Sequence, residues 1–368
     1  MASRLLAQLA SRIAAARDPV QAACLRAQRG IYLARQGKHE PAQAIVDTIR
    51  SEFGARPDAE VTAWVSLVEA LIHFYSQPGP KALDRLKRAY ALSRAMNHPE
   101  LVPLCAAWLA HLEFNANRMQ PMLQYASQAL RLAQPEHHAA LARVSLVIAD
   151  AFHYAGRLDL AKPWYAKVRD HALAEGDDAM ISAMLHNVAA LRANQVRLAD
   201  SFQEPQPEEA KRALLEAEST RNYDLGIGAL SLTLLLPLVR AQLYMVQGKY
   251  EEAIELFSAT LDNDNVENLE RREATFFAER AWCLVQLGDV SAAEADVEAA
   301  CKRAGWPADA DDVAATHARL AEVLTRLDRS HEAVEHKVLS IEFRGRHIAA
   351  QTELLFQLIA TLQDLRVP

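Results

Sequence analysis

The chain has 368 residues with a formal net charge of −7, and 51% of its residues are hydrophobic while 24% are charged. The apolar content excludes a disordered chain, and the negative charge argues against binding to nucleic acid or to an anionic membrane surface. Only 12 residues are glycine, whereas the usual share is about 7%. Phosphate-binding loops and sheet-rich folds are therefore disfavoured, and an all-helical protein is expected.

The N-terminal segment predicts an amphipathic helix over residues 3–17 and not a secretory signal, because Arg4, Gln8 and Arg12 interrupt its apolar residues. The longest apolar run, from Leu230 to Val239, is too short to span a bilayer. The cysteines lie far apart along the sequence, which is typical of a protein in a reducing compartment. We therefore expect a cytoplasmic protein without membrane insertion.

An internal repeat of forty residues runs through most of the chain. Four segments begin with glycine and carry alanine five residues later, and weaker copies carry Ala or Met at the equivalent place. The eight positions are Ala42, Ala82, Met122, Ala161, Ala210, Ala253, Ala293 and Ala333. Their separations are 40, 40, 39, 49, 43, 40 and 40 residues. Five of the seven intervals lie within one residue of forty, so the repeat is not a chance pattern.

A second small residue stands twelve positions before these anchors. It is Gly30, Ala70, Ala110, Ala149, Ala241, Ala281 and Ala321 in seven units. In the remaining unit an insertion of about nine residues near 200–208 moves the equivalent position to Ala189. Small residues at both places let two antiparallel helices cross closely, because bulky side chains would hold their backbones apart.

Each unit therefore predicts two helices joined by a tight turn. First helices are predicted at Ala140–Tyr154, Leu230–Gln247 and Leu269–Leu287, and second helices at Leu158–Ala174, Glu251–Leu261 and Ser291–Arg303. Gly37, Gly156, Gly248 and Gly288 stand where the first helix must stop and reverse. Such a place favours a residue in the left-handed conformation.

The small residue in the first helix, the Gly-[Lys/Arg]-x-x-x-Ala turn and the aromatic residues Tyr165 and Phe257 resemble tetratricopeptide repeats. The period of forty is similar to the long variant found in bacterial signalling proteins. The resemblance implies an all-α, right-handed α-solenoid of about eight antiparallel hairpins over residues 20–342. Residues 1–19 are then an N-terminal capping helix, and residues 343–368 are the C-terminal part of a long helix.

The same resemblance implies binding and not a reaction, namely a protein- or peptide-binding adaptor or scaffold that uses the concave face. One alternative is a regulatory sensor that binds a short peptide or a small molecule and signals to a separate output protein. A second alternative is an enzyme built on the solenoid. Its only conceivable acid and base groups are Asp150, His153 and His186.

The histidines do not form a recognisable metal site. His331 and His336 lie five residues apart, a rotation of about 500°, so on a helix they diverge by about 140°. A zinc-protease helix needs histidines four apart on one face. His137 and His138 follow a proline and are expected to be solvated in a turn. We expect no metal.

No nucleotide loop or nucleophile motif stands out either. Gly226 to Ser231 begins like a dinucleotide loop but lacks its third glycine, and a helix is predicted to follow at once. The cysteines are expected to be small core residues. They are Cys24, Cys105, Cys283 and Cys301. We expect no cofactor and no catalytic residue.

The first helices of such a solenoid are expected to line its concave face. Offsets from the small-residue positions place a polar and partly aromatic set of side chains there. The predicted partner-binding residues are His111, Asn115, Arg143, Asp150, His153, Tyr154, His186, Asn187, Asn194, Gln242, Glu279, Trp282, Arg319 and Glu322. Amides can pair with an extended peptide backbone, and arginines can bind carboxylates bidentately. Asn187, just before Val188-Ala189, resembles a frequent ligand-contacting asparagine of the family.

The second unit differs, because it contributes an apolar wall to this face. The wall consists of Trp64, Leu67, Leu71, Phe74 and Tyr75. Two interpretations remain open, namely an exposed apolar part of the groove or a surface covered by the N-terminal helix.

At the end of the chain, Ile341, Ile348, Leu355 and Leu362 recur every seven residues. This pattern predicts either a helix that caps the solenoid or a homodimer contact through the C-terminal helix.

Overall fold

The computed structural model describes residues 3–76, 79–230, 235–261, 272–304 and 308–365. These residues form seventeen α-helices and no strand. The helices are α1 (Arg4–Ala15), α2 (Pro19–Arg35), α3 (His39–Phe53), α4 (Ala59–Ser76), α5 (Pro80–Ala95), α6 (Leu101–Asn115), α7 (Met119–Leu132), α8 (His138–Tyr154), α9 (Leu158–Glu175), α10 (Asp178–Ser201), α11 (Pro207–Ile227), α12 (Leu235–Val246), α13 (Tyr250–Leu261), α14 (Glu273–Leu287), α15 (Val290–Arg303), α16 (Ala310–Arg326) and α17 (Ser330–Asp364). The prediction of an all-helical repeat protein is confirmed.

The chain forms two compact units. Unit 1 comprises Met1–Met184, Asn222–Leu232 and Leu354–Pro368, and unit 2 comprises Leu185–Arg221 and Thr233–Glu353. Helix hairpins α2–α3, α4–α5, α6–α7 and α8–α9 belong to unit 1, and α12–α13 and α14–α15 belong to unit 2. The separate division predicted at residues 19 and 342 stays a prediction.

The predicted helix ranges agree with the described ones to within a few residues where both can be compared. The predicted start of one first helix at Leu269 lies outside the described residues, as does Ser231 in the predicted loop. The segment before Ser231 is not a free loop, because Gly226 still belongs to α11 and the backbone turns at Gly228 with a φ of +67°.

The repeat positions do what their small size predicts. All sixteen anchor and preceding residues are buried, from Gly30 in α2 to Ala333 in α17. The close helix approach can be measured at Gly30, where an added Cβ would lie 3.0 Å from Cγ1 of Val68 in α4. Glycine at this position therefore lets α2 and α4 pack against each other.

The four predicted turn glycines have left-handed backbone conformations. Gly37, Gly156, Gly248 and Gly288 have φ values of +76°, +73°, +73° and +82°. In two other repeats the equivalent positions are occupied by Asn117 and Asp328, each with a φ of +57°. Asn and Asp are the non-glycine residues that adopt this backbone conformation most readily, so the same turn forms without glycine.

The N-terminal helix covers a different surface from the one considered for it. Leu5 and Leu9 of α1 pack with Leu25 and Tyr32 of α2 and with Ala179 of α10. The apolar wall of the second repeat lies in unit 1 and is instead buried by neighbouring helices. Trp64, Leu67 and Leu71 belong to the core formed with α2, α5 and α6. The interpretation in which α1 covers this wall is wrong.

The long C-terminal helix has two different parts. Within unit 1, Leu354, Leu358 and Leu362 are buried in the core formed with α6, α7, α8 and α9. This part therefore packs against the helices of unit 1, and its capping role stays a prediction. Earlier in α17, within unit 2, Val334, Val338, Ile341 and Ile348 are each more than half exposed.

In the described ranges, no helix combines the length and the apolar content that crossing a membrane requires.

We predict that Gly30→Leu destabilises the protein, because the larger side chain would collide with Val68 across the α2–α4 contact. The expected loss of unfolding free energy is about 1–3 kcal/mol. Gly345→Leu is the matched control, since a Cβ at this helical glycine meets no atom within 4 Å. Denaturant unfolding of both variants measures the difference. Equal stability of the two variants would contradict the close helix approach.

Candidate functional site

Six of the predicted partner-binding residues lie in unit 1, and most of them are buried. The side chains of His111, Arg143, Asp150 and His153 are all almost fully inaccessible. Tyr154 is half-buried and packs edge-on against Phe114, while Asn115 is exposed. Four of the six predicted residues are therefore buried inside unit 1.

Arg143 of α8 has an unusual environment for a buried charged side chain. Its guanidinium carbon lies 3.7 Å from the centre of the Trp108 ring, which gives a cation–π contact. Its Nε and Nη2 atoms are buried and donate no hydrogen bond to any described residue. Burial lowers the pKa of Arg143 to about 10, the direction expected for a cation removed from water. A buried guanidinium of this kind requires an acceptor.

A second arginine is buried in the same unit. Arg35 of α2 forms a buried ion pair with Asp177, with 2.6 Å between Nη1 and Oδ2. Its Nε and Nη2 atoms are also buried without a hydrogen-bond acceptor among the described residues. Two guanidiniums and one carboxylate thus leave several N–H donors unused.

Aromatic rings surround these donors. His111 lies 5.6 Å from Trp108 and 5.5 Å from Phe74, measured between ring centres. Burial holds the pKa of His111 well below its ordinary value, so the ring is neutral at pH 7. Phe74 and Tyr75 are half-buried, and Asn115 lies 3.5 Å from the Nε2 atom of His111. We call Arg35, Trp108, His111 and Arg143 the cationic floor of unit 1.

Two of the three acid and base groups considered for catalysis, Asp150 and His153, make contacts with Tyr165. The hydroxyl of Tyr165 donates to Oδ1 of Asp150 at 2.9 Å and lies 3.2 Å from Nδ1 of His153. His186 belongs to unit 2, where burial lowers its pKa to about 4. A histidine with that pKa is almost entirely neutral at pH 7.

Unit 2 contains a network in which buried arginines form ion pairs with carboxylates of the same unit, although the Nε atoms of Arg197, Arg272 and Arg319 donate no hydrogen bond to a described residue. Arg197 of α10 is fully buried, and its guanidinium pairs with Asp312 of α16 at 2.7 Å and with Glu279 of α14 at 3.4 Å. The predicted residue Gln242 donates to Glu279 at 2.8 Å. Arg272 pairs with Asp312 at 3.3 Å. Glu279 is therefore a partner of this chain's own arginine and not an open ligand contact.

The end of α10 and the segment that follows it form ion pairs with α16 and α17. Asp200 forms an ion pair with Arg319 of α16, which also pairs with Glu322 at 2.8 Å. Just beyond the helix, Glu204 pairs with Arg344 of α17 at 2.8 Å. The inserted residues thus extend α10 and occupy the place where a ligand carboxylate was expected to meet Arg319.

The other predicted residues of unit 2 lie at the edges of this network. Asn194 accepts a hydrogen bond from Arg272 at 3.1 Å, and Asn187 is half-buried on α10. Trp282 is half-buried beneath two guanidiniums, with the carbons of Arg319 and Arg326 at 5.1 and 4.2 Å from its ring centre.

Several central residues escaped the sequence analysis. Arg35 forms a buried ion pair with Asp177 in unit 1, and Arg197 forms one with Asp312 in unit 2. Their partners are 115 to 142 residues away in sequence. The repeat period marks equivalent helix faces but does not indicate which distant charges meet, so no local signal identified them.

The predictions for histidine and cysteine hold only in part. His331 is exposed, whereas Nδ1 of His336 lies 2.7 Å from Nδ1 of His317, so the two helix positions do diverge. His138 is not simply solvated, because it packs on His171 with 3.0 Å between their Nδ1 atoms.

Three of the four cysteines are buried as predicted, but Cys301 is exposed. Its position near the end of α15 places the thiol at the surface next to His336. Among the residues described, no group of three or more His, Cys, Asp and Glu side chains is arranged to hold a metal ion.

We predict that Arg197→Ala strongly destabilises the protein, because it leaves Glu279 and Asp312 buried without their shared cation. The expected cost is about 3–5 kcal/mol of unfolding free energy. Arg346→Ala, which removes an exposed pair with Glu342, should cost less than about 1 kcal/mol. Chemical denaturation measures both values. A mild effect at Arg197 would show that the network contributes little.

Comparison with known proteins supports the fold. A solved Rap protein in complex with competence and sporulation factor is similar over 92% of this chain and 87% of that chain, with 15% sequence identity and a TM-score of 0.50. The apo form of RapI matches over 78% of this chain and 98% of that chain, with 13% identity and a TM-score of 0.49. No family model and no curated protein matches the sequence. At this identity, the likeness to the first structure establishes a shared helical-repeat fold.

Proposed function

We propose that this protein is a non-catalytic peptide-binding regulator or adaptor, and that unit 1 holds the peptide. The observation that carries the proposal is the unused N–H groups of Arg143 and Arg35 in the cationic floor. A peptide supplies the acceptors these groups need, as a carboxylate or as backbone carbonyls. The half-buried rings of Phe74 and Tyr75 would contact its apolar side chains.

Arg143 has a larger need for such an acceptor than Arg35. Arg35 has Asp177 as a directly paired counterion, whereas Arg143 makes no ion pair with a described residue. Its guanidinium packs on the Trp108 ring, and Asp177 and Asp150 act on its charge only through longer-range electrostatic attraction. A desolvated cation–π contact contributes about 2 kcal/mol, and the cost of burying an ion is several kcal/mol. An anionic group of a ligand would supply the remaining stabilisation.

The fold likeness is consistent with this function. The Rap protein that shares the fold was solved in complex with competence and sporulation factor. The charge network of unit 2 supports the assignment to unit 1, because Arg197 and Arg319 are already paired with acidic groups of this chain.

We predict that Arg143→Gln abolishes peptide binding without lowering stability. The substitution removes the donors that would bind the ligand, and it also removes a buried charge that lacks a counterion, so the folded state should not suffer. The probe is a library of short peptides with free C-terminal carboxylates, together with the same library amidated. Retained peptides are identified by affinity selection and mass spectrometry.

The matched control is Arg169→Gln, which alters an exposed arginine of α9. Wild type and control should retain the same peptides, and Arg143→Gln should retain them at least about tenfold less. Equal retention by Arg143→Gln would show that the peptide does not use this floor. Loss of stability in that variant would show that Arg143 is compensated within the fold.

We further infer that the exposed apolar residues of α17 form a homodimer contact. Val334, Val338, Ile341 and Ile348 are spaced by four, three and seven residues, which places them on one stripe of the helix. Their side chains are 51 to 63% exposed. A second copy of the same stripe would bury these branched apolar side chains in an interface repeated on both subunits.

We predict that Val338→Glu combined with Ile341→Glu converts the dimer to a monomer, because burying charges in the interface is costly. Sedimentation equilibrium measures the mass. The control Leu215→Glu alters an equally exposed apolar residue on α11 and should leave the dimer intact. A monomeric wild type would exclude the interface.

A further inference from the structure

A cavity of about 180 Å³ that is partly open to solvent lies between α3, α4 and α5 of unit 1. Its apolar surface is formed by Ile49 and Phe53 of α3 and by Val61 and Val65 of α4. No residue of the cationic floor takes part. A cavity of about 150 Å³ is large enough to hold benzene in another protein. This cavity can therefore accept a ring or a branched aliphatic group of similar size.

The uncharged polar groups along its wall are already satisfied. The hydroxyl of Thr62 donates to the backbone oxygen of Asp58 at 2.6 Å, and the hydroxyl of Ser66 donates to the backbone oxygen of Thr62 at 2.8 Å. Both bonds stay within the chain of α4 and its N-terminal flank. The wall thus presents carbon atoms to a ligand, and hydrogen bonding to a ligand falls to the charged residues.

Those charged residues carry an excess of positive charge. Glu69 is buried, and its two carboxylate oxygens lie 2.5 Å from Nη2 of Arg50 and 3.7 Å from Nη1 of Arg85. Arg88, one turn of α5 from Arg85, is exposed and makes no ion pair with a described residue. The lining of the cavity therefore carries three guanidiniums and one carboxylate, in a chain whose net charge is −7.

The arrangement has a defined polarity. Glu69 belongs to the helix beneath the cavity and attracts Arg50 and Arg85 to its carboxylate, at 2.5 and 3.7 Å. A side chain that is partly restrained before binding loses less entropy when it binds an anion. Arg88 brings the remaining donors, and arginine binds carboxylates in a bidentate manner.

We propose that this cavity binds an apolar carboxylate, that is, a benzene-sized apolar group that carries a carboxylate within reach of Arg85 and Arg88. The apolar group fills the space against Val61 and Val65, and the carboxylate pairs with the guanidiniums. Two sources have this chemistry, namely a free arylalkanoic or branched-chain acid and the apolar C-terminal residue of a peptide. A neutral ligand of the same shape gains only the apolar contact.

The test uses isothermal titration calorimetry of the full chain with 3-phenylpropionate as the probe and 3-phenylpropanamide as its neutral counterpart. The acid should bind saturably at one site, and the amide should bind at least about tenfold more weakly, because it lacks the charge that pairs with arginine. The tripeptide Gly-Gly-Phe with a free carboxylate distinguishes the sources. Tighter binding than the free acid indicates a peptide C-terminus, and weaker binding indicates a small acid.

Two variants locate the site. Arg88→Gln should weaken binding of 3-phenylpropionate about tenfold by removing one guanidinium, and Thr62→Met should abolish it by filling the cavity. Arg131→Gln, at an exposed arginine of α7, is the control and should bind as wild type does. Thermal unfolding verifies that each variant is folded. The proposal is overturned if the acid shows no saturable binding, if the amide binds equally well, or if Arg88→Gln binds like the control.

Discussion

The close crossing of two helices at small residues is the constraint on which this architecture depends. Each hairpin places Gly, Ala or in one case Met at two matching positions, and all of these residues are buried. Larger side chains would separate the helices and open voids in a core that gains its stability from dense packing. At Gly30 even a methyl group would stand 3.0 Å from the neighbouring helix. The forty-residue period records this requirement in each repeat.

Helices packed so closely leave little room for polar side chains between them, and the consequences differ between the two units. In unit 2 the buried arginines meet carboxylates of the same unit, as Arg197 does with Glu279 and Asp312. Of the two buried arginines that the structure describes in unit 1, Arg35 has such a partner, and Arg143 packs on the Trp108 ring. Because a buried ion is tolerated only when its charge is compensated, this difference is the basis for assigning ligand binding to unit 1.

The inserted residues show how a repeat protein can alter one repeat while the other repeats keep their period. They lengthen α10 so that Asp200 meets Arg319, and the segment beyond the helix brings Glu204 to Arg344. Both pairs link this segment to α16 and α17, whose arginines lie 119 and 140 residues further along the chain. The period alone locates the insertion, but it gives no indication that its acidic residues would take the place of a ligand.

Much of the fold follows from local physics that the sequence states directly. Helical spacing, the reversal at Gly37 and its equivalents, and the burial of the small residues could be predicted because each depends on residues within one or two turns. Even the absence of a zinc helix at His331 and His336 follows from helical rotation. Tertiary structure alone decided which polar side chains of the predicted set are buried, which arginines find carboxylates, and which side of α17 is covered. These outcomes depend on charges and surfaces that are often more than a hundred residues apart, where no repeat or motif relates one partner to the other.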